Sequence, residues 1–307
     1  MKQWKMLASL FLCTAVGIAL SLPGDTRAQN TPDAPIQIGM VKTFFNGVPD
    51  VLIKLVTEPF GDVMKASTGL AGKLVISEGT FDAAKRLDAN EIQLGVFHGH
   101  EFAIAKKKYP KLTPLMVVVN DFNEVKAHVV VHKKSGAQKI VDLRGKVLEM
   151  PKMTKEHCRV FLNQRCTDNA QPNLNKFFAK VQEADSVYDG LDDVCRGKAD
   201  AVIVDTIALE FYKSIKPAVF NNNLRILETS DHFPAPVIAY KQGTFNAATL
   251  KTIRDGLLRA HKNPAGKDLM KEWNIKAFEA VPENYTKQLA DVLKAYPQPI
   301  VTTVSMR

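Results

Sequence analysis

What most constrains this chain is a unit that recurs along it: a short apolar run of strand length, a polar loop, then apolar residues at helical spacing. Ile36 to Val41 has the length and apolar content of a buried strand. After the loop Lys42 to Pro49, apolar residues from Val51 to Met64 recur at helical spacing within Asp50 to Thr68. Gly69 stands where such a helix stops, and Pro59 predicts a kink. Lys73 to Ile76 follows as a second strand, Phe81 to Asp88 as a short helix capped by Thr80, and Ile92 to Phe97 as a third strand. The order βαβαβ implies parallel strands under helices.

Two polar passages interrupt this pattern. Asn120 to Lys126 separates the β-branched runs Leu115 to Val119 and Ala127 to Val131, as expected where the chain leaves one lobe for another. The strand-helix unit then returns, with a strand at Val147 to Met150 and a helix from Thr154 to Asn163. Ser186 with Asp189 opens a helix to Arg196, and Ala201 to Val204 is a buried strand closed by Asp205. Strands at Arg225 to Leu227 and Val237 to Tyr240 flank a second passage carrying Pro234 and Pro236. The remainder reads as helical, with Asn263-Pro264 restarting the chain, Glu283 to Ala295 as a last amphipathic segment and no further strand. The fold class expected is α/β and two-lobed, each lobe a mostly parallel sheet flanked by helices, with two hinge crossings. One lobe comprises 29–122 plus 236–307 and the other 123–235.

The first residues read as an address. Lys2 and Lys5 precede an apolar run from Met6 to Leu22, and Thr26-Arg27-Ala28 offers a small-residue cleavage site, so 1–28 is a secretory signal peptide. At about 17 residues the run sits at the short limit for spanning a bilayer, which leaves an uncleaved anchor as the alternative. Cleavage would take three cations and one anion from the formal charge of +9, leaving +7 on the folded part. That excess is too small and too dispersed for nucleic acid, which export also argues against. Of the four cysteines, Cys158, Cys166 and Cys195 lie beyond the leader. Cys158 and Cys166 are the candidate disulfide, although eight residues on one helix is about 12 Å, so the helix would have to end between them. The alternative is three small buried hydrophobes.

The chain does not advertise enzyme chemistry. It lacks a Gly-x-Ser-x-Gly elbow, a His-Glu-x-x-His pair and a phosphate-binding Gly-x-x-x-x-Gly-Lys-Ser/Thr loop. Cys158 beside His157 is no nucleophile and base pair, because neighbours on a helix point about 100° apart. With 46% hydrophobic residues a chain of this length buries a sufficient core without metal or cofactor, and none is expected.

Local stretches sharpen the fold class. Ile36 to Val41 as opening strand, the turn Asp142-Leu143-Arg144-Gly145-Lys146-Val147, the turn Gly197-Lys198-Ala199-Asp200-Ala201 before a strand, and the helix restart Pro264 to Leu269 together resemble one family. The chain resembles the phosphate/phosphite/phosphonate substrate-binding proteins of ABC transporters, within the type 2 periplasmic binding protein superfamily. The resemblance implies a periplasmic, monomeric protein without catalysis that carries a small anionic ligand to an ABC permease in the inner membrane.

It also implies a ligand held between lobes by loops at strand ends and by helix N-termini, where unpaired N–H groups and the helix dipole favour anions. Placed by that rule, the first-lobe candidates are Thr43, Phe44, Phe45 and Asn46, then Phe97, His98, Gly99 and His100. Those of the second lobe are Thr154, Lys155 and His157 with Asp205 and Thr206. Two alternatives stay open: a ligand sensor for a membrane receptor, and a zinc or copper carrier using His98 and His100 with Glu101 beside them. His128 and His132 share a strand face and are assigned to a solvated edge.

Overall fold

The computed structural model describes residues 34–46, 48–122, 125–167 and 173–297, all within one compact unit, Pro32–Arg307. The leader expected at 1–28 lies outside the described residues.

The first sheet has six strands in the order β11-β4-β10-β3-β1-β2. Its strands are β1 (Ile36–Val41), β2 (Gly72–Ser77), β3 (Leu94–Phe97), β4 (Leu112–Val119), β10 (Val237–Lys241) and β11 (Ala277–Glu279). β1 pairs in parallel with β2 and β3, as the βαβαβ order requires, while β10 runs antiparallel between β3 and β4. The second sheet, β7-β6-β8-β5-β9, repeats the plan. Here β6 (Val147–Glu149) lies parallel to β7 (Lys180–Gln182) and β8 (Ala201–Asp205), and β5 (Ala127–His132) runs antiparallel to β8 and β9 (Leu224–Thr229). The chain therefore changes sheet twice, from β4 to β5 and from β9 to β10. The two crossings bond to each other, Ser230 N–H to the Ala127 carbonyl at 2.9 Å and Phe233 N–H to the Val125 carbonyl at 2.9 Å.

Helices cover both sheets. Around the first are α1 (Asp50–Thr57), α2 (Pro59–Thr68), α3 (Thr80–Asp88), α4 (Gly99–Lys108), α10 (Ala247–Leu258), α11 (Pro264–Glu272) and α12 (Tyr285–Ala295). Around the second are α5 (Glu156–Cys166), α6 (Leu174–Phe177), α7 (Val187–Cys195), α8 (Thr206–Ile215) and α9 (Pro217–Asn223). Strand periodicity divides the core: Val129 and Val131 of β5 face one apolar cluster with Phe97, Phe161 and Phe233, and Val130 faces another with Leu191 and Tyr212. Both faces being covered explains why these strands read as unbroken apolar runs.

Several expectations need correction. Pro59 does not merely kink a helix; it opens α2 at its first position, where a missing N–H costs nothing. Gly79, not Thr80, is the cap of α3. The helical tail contains a strand, β11, whose three residues pair with the β4 edge and are too few to show a period. β7 was overlooked for the same reason. Cys158 and Cys166 do not pair with each other, because α5 runs unbroken from Glu156 to Cys166 and holds them two turns apart. His128 is not on a solvated edge: it is buried, its ring nitrogens 3.0 Å from the hydroxyls of Thr229 and Thr206. Among the described residues no helix is long and apolar enough to cross a membrane.

Candidate functional site

The ends of β1 and β3 bring together the first half of the site. Beyond β1 the chain makes one tight helical turn, Lys42–Phe45, which buries Phe45 against Trp273 and leaves Phe44 to stack on the His98 ring at a centroid distance of 3.8 Å. Beyond β3 the turn into α4 is buried as a whole, Phe97 to Glu101 included. Gly99 is required there because a Cβ would overlap the Pro234 carbonyl of the second crossing.

The N-cap of α4 is His98, with extended backbone (φ −61, ψ 147) and no side-chain cap on the helix. His98, His100 and Glu101 then crowd into a space where Thr43 Oγ1 donates to Glu101 Oε1 at 2.9 Å. His98 Nε2, His100 Nε2 and Glu101 Oε2 are buried without a hydrogen-bond partner. Such groups are scarce in folded proteins, since each costs about 1–3 kcal/mol.

The second half comes from β6 and α5. Thr154 ties itself to the Pro151 carbonyl, by its hydroxyl at 2.6 Å and its N–H at 2.9 Å. Lys155 is the N-cap of α5, again extended (φ −63, ψ 147) and without a side-chain cap. Glu156 and His157 follow, both buried. Glu156 accepts from Asn46 Nδ2 at 2.8 Å, a hydrogen bond between the two lobes. His157 Nε2 lies 3.3 Å from the Lys126 carbonyl of the first crossing. Phe233 of the second crossing sits against both His100 and His157, with centroids at 5.7 and 5.5 Å.

The structure thus brings Thr43, Phe44, Asn46, His98, His100 and His157 into one cluster. Asp205 and Thr206 are placed differently. Asp205 caps α8 by accepting the Ala208 N–H at 2.7 Å, and Thr206 Oγ1 is engaged by His128. Beside the cluster lies a cavity of about 410 Å³, walled by Lys155, Tyr188, Asp205 and Phe211 from the second lobe and Trp273 and Asn274 from the first.

Burial dominates the electrostatics. It holds His98 well below the usual imidazole value, pushes His100 down to about 3 and His157 to about 4, so all three rings are neutral near pH 7. Burial raises Glu101 to about 7, helped by the Glu156 carboxylate and opposed by hydrogen bonds from Thr43, Thr80 and the His98 N–H. A neutral imidazole carries one N–H, so the cluster offers polar donors without a fixed buried cation. Among the described residues, no three His, Cys, Asp or Glu side chains converge in a geometry that could hold a metal ion.

Residues 49–285 match the family of ABC-transporter phosphonate periplasmic substrate-binding proteins. The chain belongs to that family. Its members are transporter binding proteins rather than enzymes, and they work in the periplasm with a small ligand and an ABC permease. No curated protein matches the chain. Solved structures share its fold at low identity. A Xanthomonas citri protein bound to ATP has a TM-score of 0.60 and 13% identity, over 85% of this chain and 96% of its own. The binding component of an ABC phosphonate transporter from Pseudomonas aeruginosa has a TM-score of 0.56 and 14% identity, over 86% of each chain. PhnD1 of Prochlorococcus marinus, solved with methylphosphonate, has a TM-score of 0.56 and 16% identity, over 84% of this chain and 97% of its own.

Glu156, Lys126, Phe233 and Trp273 are cluster or cavity residues that pattern reading did not place there, and Glu101 was named only as a candidate metal ligand beside the two histidines. Glu101 had a signal: a carboxylate three residues after an N-cap that is His rather than Ser or Thr, hence only half of a capping box. The others reach the site through tertiary packing and carry no local signature.

Proposed function

We propose that the chain captures a phosphorus oxyanion, namely phosphate, phosphite or a phosphonate, in the cleft between its lobes and delivers it to an ABC permease of the inner membrane. The lobes are 29–122 with 236–307, and 123–235. The protein acts as a monomer after removal of a leader at 1–28. The observation that carries this reading is the pair His98 and His100, whose Nε2 atoms are buried without partners beside the uncapped start of α4. An oxyanion would satisfy what the fold leaves open, taking N–H groups from α4 and α5 and an imidazole donor from His100, while the one N–H of neutral His98 is held by the Thr43 carbonyl. Thr43 and Asn46 would close over it from the first lobe, and Lys155 would supply a cation at the rim. An organic substituent fits the neighbouring cavity with its Tyr188, Phe211 and Trp273 walls.

The test is a ligand-induced thermal shift with phosphate, phosphite, methylphosphonate and sulfate, and with zinc and copper against a chelator control. At 100 times its dissociation constant a true ligand stabilises by about 2.7 kcal/mol. A shift with a phosphorus oxyanion is expected; a shift with metal alone would replace the reading.

A further inference from the structure

The cavity beside the cluster is larger than a small phosphorus oxyanion needs. Its volume of about 410 Å³ lies in the range of about 300–1,000 Å³ that holds drug-sized organic molecules, whereas one water takes a share of only about 30 Å³. Its aromatic walls come from both lobes. From the second, Phe211 of α8 is 49% exposed although Tyr188 of α7 packs against it at a centroid distance of 5.5 Å, so the rest of the ring stands open to the cavity. From the first, Trp273 ends α11 and is fixed in two ways. Asn274 takes left-handed backbone (φ 52), which lets the Ile275 N–H return to the Met270 carbonyl at 2.8 Å and turns the chain sharply behind Trp273. The Trp273 ring also meets Phe45 edge to face, centroids 5.9 Å apart. Phe45 neighbours Phe44, which stacks on His98, so the tryptophan is tied to the turn that builds the anion site. Lys155 makes a second connection: it is the N-cap of α5 and a wall of the cavity, so an oxyanion at that helix start has the cavity beside it. Lys155 and Asp205 are the charged residues of these walls and are opposite in sign, and Asp205 already accepts the Ala208 N–H. A neutral substituent therefore fits better than a charged one, and open aromatic faces favour a flat π-system over an aliphatic group of equal size.

We propose that the organic part of the ligand is a planar aromatic ring, bound between Phe211 and Tyr188 of one lobe and Trp273 of the other. The inference rests on the phosphorus-oxyanion reading above and adds the substrate class: an aryl phosphonate or aryl phosphate ester rather than inorganic phosphate or methylphosphonate. The phosphorus group engages the starts of α4 and α5, and the ring fills the cavity as a neutral group. Because its supporting walls belong to different lobes, the ring links them. A ligand without one leaves the aromatic walls with no shared partner.

Calorimetric titration of the full chain compares phenylphosphonate, cyclohexylphosphonate, methylphosphonate, inorganic phosphate and phosphocholine. Phenylphosphonate should bind about tenfold more tightly than methylphosphonate, and about fivefold more tightly than cyclohexylphosphonate, which matches it in size but is neither flat nor aromatic. Phe211→Ala, a truncation at a half-exposed position, should bring phenylphosphonate and methylphosphonate to within about threefold of each other. A preference that survives it unchanged overturns the proposal. Should that variant fail to fold, the wild-type series and the fluorescence of Trp273 decide the matter. The chain has two tryptophans, and the other, Trp4, stands in the expected leader. Phenylphosphonate should change the emission by an amount that methylphosphonate does not, and the change should vanish in Trp273→Phe. An unchanged signal would put the ring elsewhere and overturn the proposal. Equal affinity for phenylphosphonate and methylphosphonate overturns it while leaving the phosphorus-oxyanion reading standing. Equal affinity for phenylphosphonate and cyclohexylphosphonate overturns it too, since volume alone would then decide. Phosphocholine as the tightest ligand would give the aromatic walls to a quaternary ammonium and overturn it as well. Failure of all five to bind would remove the phosphorus-oxyanion reading itself and this proposal with it, an outcome distinct from binding without preference.

Discussion

Helices α4, α5, α7 and α8 each follow a strand end, and they begin in two different ways. α7 and α8 are closed by their own side chains: Ser186 accepts the Asp189 N–H at 3.1 Å and Asp205 the Ala208 N–H at 2.7 Å. α4 and α5 start from His98 and Lys155, neither of which caps its helix. A side-chain cap takes one of the unpaired N–H donors at a helix start; a start without one keeps that donor for something else. The contrast teaches that position at a strand end is not enough to make a binding residue. Asp205 occupies the same topological place as His98, yet its oxygen is committed to its own helix.

The largest effect should come from Gly99. Gly99→Val would push a side chain into the Pro234 carbonyl and separate the α4 turn from the crossing. A loss of about 1–3 kcal/mol in denaturant titration, with ligand affinity falling beyond detection, is expected. An unaffected variant would show that α4 need not touch the crossing.

Next in size, His100→Ala removes a donor without touching the helix backbone. Loss of one hydrogen bond to a charged ligand, about 1.5–3 kcal/mol, should weaken phosphonate binding at least tenfold. Unchanged affinity in calorimetry would take α4 out of the site and erase its distinction from α8.

Acid stability sharpens the same comparison. His98, His100 and His157 bind protons more weakly folded than unfolded, so their contribution is complete above the unfolded value of 6.5 and is lost at lower pH, toward about 3 for His100 and about 4 for His157. Glu101 works in reverse: its raised value gives a contribution present below 4.5 that is lost as pH rises through about 7. Three groups against one, the melting temperature should fall between pH 6.5 and 4. It should fall more steeply in Glu101→Gln, where the offset is gone; a melting temperature flat across that range would mean the rings are not buried neutral.

The smallest effect is expected at α8. Asp205→Ala should cost about 1 kcal/mol of stability as a lost cap, while Asp205→Asn, which caps equally well, should cost little. Ligand affinity of both should stay within about threefold of the wild type by the logic of a committed cap. A large affinity loss in Asp205→Asn would show that the carboxylate reaches the ligand after all.

Much of the architecture was legible in advance because it is written in local period. The runs at Ile36 to Val41 and Ala201 to Val204 are buried on both faces and read as unbroken aliphatic stretches. Asn263 and Ser186 act as the caps their chemistry suggests. β7 and β11 were not legible, since three residues show no period and their pairing is decided by the neighbouring edge. His128 looked like a surface residue because its partners, Thr229 and Thr206, are 101 and 78 positions away.

By itself, then, the sequence determined where the longer strands and helices lie, that two passages interrupt the pattern, and that the ends of β1, β3 and β6 carry polar and aromatic residues. Those properties depend on side chains within a turn or two of each other. Only the tertiary structure decided that His98 and His100 lose water and charge, that Glu101 feels the Glu156 carboxylate from the other sheet, and that Asp205 Oδ1 caps its own helix. Desolvation and carboxylate repulsion depend on what packs around a group, and in this protein the packing partners of α4 come from a crossing more than a hundred residues later.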